Sequence, residues 1–232
     1  MEEQDKTKKA IDGYVTTSKL EDKIRSGWTQ NYEIERQRLE SIAEHTYKTQ
    51  QLAINVWLSY PKEYKDIDIF KVLAMISIHD NAEAITGDKT IFVKTKEDES
   101  KERAVIRALY GHYENGEIFI NLYKEFEERK TPEAKFAHMC DKLDAVLQAE
   151  IYTEEGCTNM KNLEGKPCMN SSLIRSLVEQ GLSLGQVFAE YSIQRDGLDK
   201  PFTEVAQYVK THKILPPDRR KNNEKYEMHP SG

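Results

Sequence analysis

A single segment is apolar at nearly every position, and it limits the fold more than any other part of the sequence. It extends from Ile67 to His79. A helix that is apolar on all sides has to be buried in a protein core. The pattern therefore predicts a central helix whose last residues lie inside the protein. Its apolar residues are Ile69, Phe70, Val72, Leu73, Ala74, Met75, Ile76 and Ile78.

The rest of the chain is poor in residues that interrupt helices, with 11 glycines and 7 prolines among 232 residues. Between them, apolar residues recur at spacings of three and four, which indicates helices, and strand-like alternation is scarce. The sequence therefore predicts an all-α fold, a single helical bundle. The other helices are expected at Glu40–Tyr60, Asp98–Tyr113, Glu117–Arg129, Pro132–Thr153, Ser171–Gln194 and Phe202–Thr211.

Polar segments set the expected domain boundaries. Residues 1–14 form a polar N-terminal segment, residues 15–213 the helical domain, and residues 214–232 a charged C-terminal tail. Within the domain, residues 156–170 contain two glycines and a proline and are expected to form a long loop. The length fits one domain because a single core of this size buries most of its apolar surface.

Composition excludes several classes of protein. The formal net charge is −6, from 34 Lys and Arg against 40 Asp and Glu, which argues against binding of a nucleic acid polymer. No apolar run approaches the ~20 residues of a membrane span, and no export signal is visible at the N-terminus. Three cysteines without a CxxC pair indicate a reducing cytoplasm.

One histidine and two acidic residues at the end of the apolar helix are the first candidates for a metal-binding or catalytic site. His79 and Asp80 end this segment, and Glu83 follows. Because burial disfavours an unpaired carboxylate, Asp80 needs a cation, hydrogen-bond donors or a metal. On a continuous helix the three side chains would lie at the same end of one face. The alternative is an ordinary helix end, with His79 bonded to a carbonyl and Asp80 in a cap or salt bridge.

Two other predicted helices carry residues of the same type. His45 lies near the start of one helix, and Asp141 lies within another. Each has an alternative explanation, since a lone histidine is usually satisfied by packing. Asp141 could also pair with Lys142 or Arg129.

The pattern of two histidines and two aspartates, with Glu83 three residues after Asp80, resembles that of the HD-domain metal-dependent phosphohydrolases. Within this family it is most similar to the 5′-deoxynucleotidase branch. The resemblance implies a homodimer of all-α domains, each with a metal site where three helices converge. The implied metal ligands are His45, His79, Asp80 and Asp141. The stretches that carry the resemblance are Arg25–Trp28, Arg38–His45, His79–Asp88 and Asp141–Asp144, with Gln148 and Glu150 following.

Two imidazoles and two carboxylates without a thiolate suit Mn²⁺, Co²⁺, Fe²⁺, Mg²⁺ or Zn²⁺. The resemblance implies one divalent ion, with Co²⁺, Mn²⁺ or Mg²⁺ as activators. Such an ion lowers the pKa of its water and neutralises phosphoryl charge. Glu83 would then orient the attacking water or exchange a proton with it. Asp88, across a turn at Gly87 that stops the helix, would protonate the leaving ribose oxygen or hold the substrate.

A phosphate substrate needs local cations in an acidic protein. Arg25 and Arg38 are the better clamps because the guanidinium binds phosphate through two donors, and Lys94 follows the Asp88 turn. The alternative for each is solvated surface charge. By resemblance, Arg25 and Trp28 line a nucleotide pocket that prefers deoxyribose.

Three functions remain open from the sequence. The first is hydrolysis of deoxynucleoside 5′-monophosphates to nucleoside and phosphate. The second is hydrolysis of deoxynucleoside triphosphates, which HD sites also perform. The third is a nucleotide-binding module without turnover, against which the intact set of candidate ligands counts.

Overall fold

The structure is a computed structural model that describes residues 2–215, with side chains from residue 4 onward. Over this range the chain forms ten α-helices and one antiparallel pair of short strands, which confirms the predicted all-α class. The helices are α1 (Glu2–Ser18), α2 (Ile42–Ser59), α3 (Ile69–Ile78), α4 (Glu83–Thr86), α5 (Lys96–Tyr110), α6 (Gly116–Glu128), α7 (Pro132–Glu154), α8 (Ser172–Glu179), α9 (Leu184–Arg195) and α10 (Lys200–Thr211). The strands are β1 (Glu33–Ile34) and β2 (Thr158–Asn159).

The chain divides into two compact units. The first unit contains residues up to Gly27 and Leu39–Asp141, and the second contains Trp28–Arg38 and the described residues from Lys142 onward. Helix α7 contributes residues to both. The expected domain boundaries at residues 14 and 213 stay a prediction, and residues 216–232 of the predicted tail lie outside the described residues.

Helix α3 forms the core of the first unit, as predicted. Asp68 begins it, because its side chain accepts hydrogen bonds from two backbone amides of the first turn. The helix packs against α2 and α6. Its buried face includes Val72, Met75 and Ile76. Phe70, in contrast, is 80% exposed, so α3 is not buried on all sides.

Helix α2 begins with a capping box. The Ser41 side chain accepts from the Glu44 backbone amide, and the Glu44 side chain accepts from the Ser41 amide. This start places His45 in the first turn of α2, on the buried face that it shares with Ile42 and Thr49.

The helix predicted for Ile67–His79 is present as α3, but His79, Asp80 and Glu83 do not lie on one continuous helix. Helix α3 ends at Ile78, His79 is its C-cap, and Glu83 begins the separate short helix α4. The turn between them still brings Asp80 next to Glu83, because the Glu83 amide donates to the Asp80 carbonyl at 2.9 Å. The predicted stop at Gly87 is confirmed: its φ of 75° closes α4.

The second unit corrects another expectation. The predicted helix Ser171–Gln194 is two helices, α8 and α9. Gly181 takes a φ of 76° after α8, and a capping box from Ser183 begins α9, so the chain turns between them. The expected loop at 156–170 contains β2, which pairs with β1, and a single 3₁₀ turn at Pro167–Asn170. Helix α1 was not among the expected helices.

Over residues 2–215, no helix combines the length and apolar character that a bilayer crossing requires. The three cysteines all fall in this range, and they are buried and unbridged. The cytoplasmic location stays a prediction.

Candidate metal centre

Three elements of the first unit bring four side chains together at one point. His45 comes from the first turn of α2, His79 and Asp80 from the end of α3, and Asp141 from α7. The Nε2 atom of His45 lies 3.1 Å from Asp141 Oδ1 and 3.8 Å from Asp80 Oδ2. The Nε2 atom of His79 lies 3.1 Å from Asp80 Oδ2 and 3.8 Å from Asp141 Oδ1.

These separations suit a shared ion. Ligand atoms that each lie about 2.1 Å from one metal are separated by roughly 3.0–3.5 Å. One ligand atom each from His45, His79 and Asp141 can be chosen so that all three lie within 4.8 Å of one another. All three residues are buried, and the side chain of Asp80 is 17% exposed. The predicted convergence of the four residues is therefore present.

The orientation of His79 points to a ligand other than a hydrogen-bond partner. Its Nδ1 lies 2.7 Å from the Ile76 carbonyl, and since a carbonyl only accepts, Nδ1 carries the proton. That leaves the lone pair on Nε2, which is buried and makes no hydrogen bond to the described residues. Asp80 Oδ2 lies 3.1 Å from this nitrogen. A histidine held through one nitrogen with the other one open is typical of a metal ligand.

The charges at this point also favour a cation. Burial lowers the pKa of His79, but the Asp80 and Asp141 carboxylates outweigh burial and raise it well above its ordinary value. Burial raises the pKa of Asp80, but His79, His45 and Arg25 hold it below its usual range. The two aspartates thus attract positive charge to the space between the imidazoles. A divalent cation would satisfy that demand in place of a proton.

Arg25 belongs to this cluster of charges, and its role in binding phosphate stays a prediction. Its backbone amide donates to the Glu40 carbonyl at 3.1 Å. Burial lowers the pKa of its guanidinium, but nearby carboxylates outweigh burial and raise the pKa above its ordinary value. These carboxylates belong to Glu40, Asp141, Asp80 and Asp88. The arginine therefore carries a permanent positive charge among these acids.

Glu83 and Asp88 lie at either end of the α4 turn. Burial, together with Asp80 and Asp88, raises the pKa of Glu83 well above its ordinary value, while Arg25 and Lys94 oppose that rise. The Asp88 carboxylate accepts a hydrogen bond from the backbone amide of Ser26. A carboxylate with a raised pKa is suited to proton exchange near neutral pH.

The remaining predicted site residues have other surroundings. Lys94 Nζ lies 2.7 Å from Glu102 Oε2, a buried carboxylate that sequence analysis missed. Trp28 and Arg38 belong to the second unit. There Trp28 is buried against the rings of Tyr152 and Phe188, and Arg38 is exposed. Their roles in substrate binding stay predictions.

The fold and this cluster together define a known class of protein. A family model of the HD domain matches residues 17–172, which is more than half of the chain. The chain therefore belongs to the HD-domain family, and its all-α fold agrees with that membership.

Curated relatives with the name 5′-deoxynucleotidase HDDC2 match part of the chain. The protein from Danio rerio is 31% identical over 135 residues, 55% of this chain and 59% of that protein. The protein from Dictyostelium discoideum is 30% identical over 153 residues, 62% of this chain and 78% of that protein. The aligned part thus spans about three fifths of the Danio rerio protein. These relatives indicate that the chain is an enzyme.

Solved structures share the fold. A protein of Pyrococcus horikoshii is 26% identical, with a TM-score of 0.62 over 86% of this chain and 97% of that one. A protein of Magnetospirillum magnetotacticum, described as a predicted metal-dependent phosphohydrolase, is 23% identical, with a TM-score of 0.59 over 88% and 90% of the two chains.

Proposed function

We propose that the chain is a metal-dependent phosphomonoesterase that hydrolyses deoxynucleoside 5′-monophosphates to nucleoside and inorganic phosphate. One observation carries the proposal: in the first unit, the four distances from the two imidazole Nε2 atoms to the two carboxylate oxygens are 3.1–3.8 Å. The name shared by the curated relatives supports the substrate class.

The proposed metal ligands are His45, His79, Asp80 and Asp141. A divalent cation held there supplies a water of lowered pKa and offsets the charge of a phosphoryl oxygen. Cobalt, manganese and magnesium are the activators proposed from the family resemblance, and the ligand set also suits iron(II) and zinc.

The chain's own residues complete the reaction. Glu83 takes a proton from the attacking water, a role that its raised pKa and its place beside Asp80 support. As the water oxygen bonds to phosphorus, the bond from phosphorus to the 5′ oxygen breaks, and Asp88 protonates that oxygen or holds the substrate. Arg25 stabilises the phosphate charge. The proposed contacts of Trp28 and Arg38 with the nucleotide, and the homodimer, rest on the family resemblance.

The test is a turnover assay on metal-stripped protein. The purified chain is treated with EDTA, supplied with Co²⁺, Mn²⁺ or Mg²⁺, and incubated with the four deoxynucleoside monophosphates, their ribose counterparts and dATP. We expect nucleoside and phosphate in equal amounts from the deoxynucleoside monophosphates. Release of triphosphate from dATP with no monophosphate turnover would replace the proposal by a triphosphohydrolase, and no turnover at all would leave a binding module.

A pair of variants separates the metal cluster from general effects. His79→Ala removes a proposed ligand, and His112→Ala removes an exposed histidine whose Nδ1 bonds the Ala108 carbonyl at 3.2 Å. We expect His79→Ala to lose at least about 10³-fold in kcat, because the metal is no longer held. His112→Ala should keep the activity of the original protein. Equal activities in all three proteins would contradict the proposed site.

A further inference from the structure

Two ion pairs join the segment after Gly87 to helix α5, and they differ mainly in their surroundings. Lys89 Nζ lies 2.7 Å from Asp98 Oδ1, and Lys94 Nζ lies 2.7 Å from Glu102 Oε2. The Lys89 and Asp98 side chains are 44% and 12% exposed, whereas those of Lys94 and Glu102 are 26% and 5% exposed. The second pair is therefore largely removed from water.

Glu102 occupies a position where an apolar residue would be expected. It lies one helical turn before Ile106, which packs in the apolar cluster with Ile78, Ala82 and Tyr123. Burying a carboxylate is unfavourable even when it is paired, and an apolar pair of similar size often gives equal or greater stability. The buried pair therefore needs an explanation other than stability alone.

The position of Lys94 provides that explanation. Burial disfavours its charge, but Glu102 restores it, and Glu83 and Glu127 add to the attraction, so the pKa of Lys94 is raised. The same ammonium acts with Arg25 on Glu83, where both lower the pKa of a carboxyl that burial raises. The packing agrees with this, because α5 packs on α4, which begins with Glu83, and Ala82 next to Glu83 lies in the same apolar cluster as Ile106 of α5. Through its contact with Glu102, Lys94 is therefore tied to the helix that packs on the Glu83 side of the metal cluster.

We propose that Glu102 is a positioning residue: its carboxylate holds the Lys94 ammonium beside Glu83, where that ammonium receives the phosphate group of the substrate. The inference rests on the proposed function. A lysine side chain has four rotatable bonds, and an unrestrained lysine loses this conformational freedom when its ammonium binds an anion. Holding the ammonium in advance reduces this loss and strengthens phosphate binding.

The test is a double-mutant cycle with Lys94→Met, Glu102→Gln and the double variant. Glutamine keeps the size and a hydrogen-bonding oxygen of Glu102 but removes its charge. We expect Glu102→Gln to lower kcat/KM for a deoxynucleoside monophosphate about 10-fold, mostly through KM, and Lys94→Met at least as much. The double variant should be within about 2-fold of Lys94→Met, because Glu102 acts through Lys94.

Asp98→Asn is the matched control. It weakens the exposed pair from the same segment to the same helix, and asparagine keeps the oxygen that caps α5 at Thr95. We expect its kcat/KM within about 2-fold of the original value. An equal loss in Asp98→Asn and Glu102→Gln would mean that the segment only needs to be attached, and it would overturn the positioning role.

Binding of inorganic phosphate gives a readout that needs no turnover. Calorimetry on Mn²⁺-loaded protein should show about 10-fold weaker phosphate binding in Glu102→Gln and Lys94→Met, and unchanged binding in Asp98→Asn. If the original protein hydrolyses no nucleotide, the proposed function fails while these affinities still decide the inference. If it hydrolyses nucleotides, two results overturn the inference while the proposed function stands. One is a Glu102→Gln variant that keeps both kcat/KM and phosphate affinity. The other is a double variant in which the losses of the two single variants multiply. Should Glu102→Gln not fold, unchanged phosphate affinity in Lys94→Met overturns the inference by itself.

Discussion

Gly87 connects the two proposed proton-exchanging residues, and its backbone offers a sharp test. It lies between α4, which begins with Glu83, and Asp88. Its φ of 75° and ψ of 156° fall in a region that is essentially restricted to glycine. A Cβ added there would meet no atom of the described residues within 4 Å. The substitution Gly87→Ala therefore changes backbone strain and little else.

The magnitude follows from two opposing effects. Holding an alanine in this region costs about 1–3 kcal/mol. Alanine also restricts the unfolded chain, which offsets about 0.4–1 kcal/mol. The net expectation is a loss of about 1–2 kcal/mol in the free energy of unfolding, and a fall in Tm of about 2–8 °C for a chain of this size.

A matched variant distinguishes strain at the site from strain in general. Gly197 has a φ of 67° and equally open surroundings among the described residues, but it lies in the second unit. Denaturant unfolding should show a loss of stability in both Gly87→Ala and Gly197→Ala. Only Gly87→Ala should also lower kcat/KM, by about 10-fold or more, because relief of the strain moves Asp88. Unchanged stability in Gly87→Ala, or an equal loss of activity in Gly197→Ala, would refute this reasoning.

Three other predictions concern different parts of the molecule. Mn²⁺ at 100 times its Kd should stabilise the protein by about 2.7 kcal/mol in a thermal melt, and His79→Ala should abolish that shift. Gly185→Ala should destabilise by at least about 2 kcal/mol in urea, because the new Cβ would lie 2.8 Å from the Glu150 Cα and would force α9 away from α7. Burial next to Glu154 raises the pKa of Glu150 to about 7. Since the folded state then binds the proton more tightly than the unfolded chain, unfolding titrations should show stability falling between about pH 5 and pH 7, by on the order of 1 kcal/mol after solvent screening. Glu150→Gln should remove most of that dependence.

The family resemblance implied the convergence of the cluster, whereas the placement of its individual residues follows from local signals. Asp80 had to be explained as soon as the segment before it was identified as a buried helix. His45 is placed by a capping box that can be recognised in the order of Ser41 and Glu44. The helix stop at Gly87 follows from glycine's access to positive φ. Each of these features depends on residues within a few positions of one another.

Features that depend on distant contacts were not predictable in this way. Periodicity alone does not show that α3 stops one residue before His79, or that Gly181 divides the predicted helix Ser171–Gln194 in two. Apolar residues continue across Gly181, so the signal for a helix remains there. At His79 the difference is the one or two residues by which the end of a helix pattern and the end of a helix commonly differ. The orientation of His79 is also invisible in the sequence, because it depends on which carbonyl its Nδ1 meets.

Glu102 illustrates the same limit for the chemistry of the site. In the sequence it is one more acid one turn after Glu97, Asp98 and Glu99, which lie in the first turn of α5. Acids are favoured there by the helix dipole, so their number carries no information about a site. What distinguishes Glu102 is burial next to Lys94, which follows from the packing of α5 on α4 and α6. If Glu102 holds the Lys94 ammonium beside Glu83, removal of its charge should weaken phosphate binding, whereas removal of the charge of Asp98 should not. That difference is what the comparison of Glu102→Gln with Asp98→Asn measures.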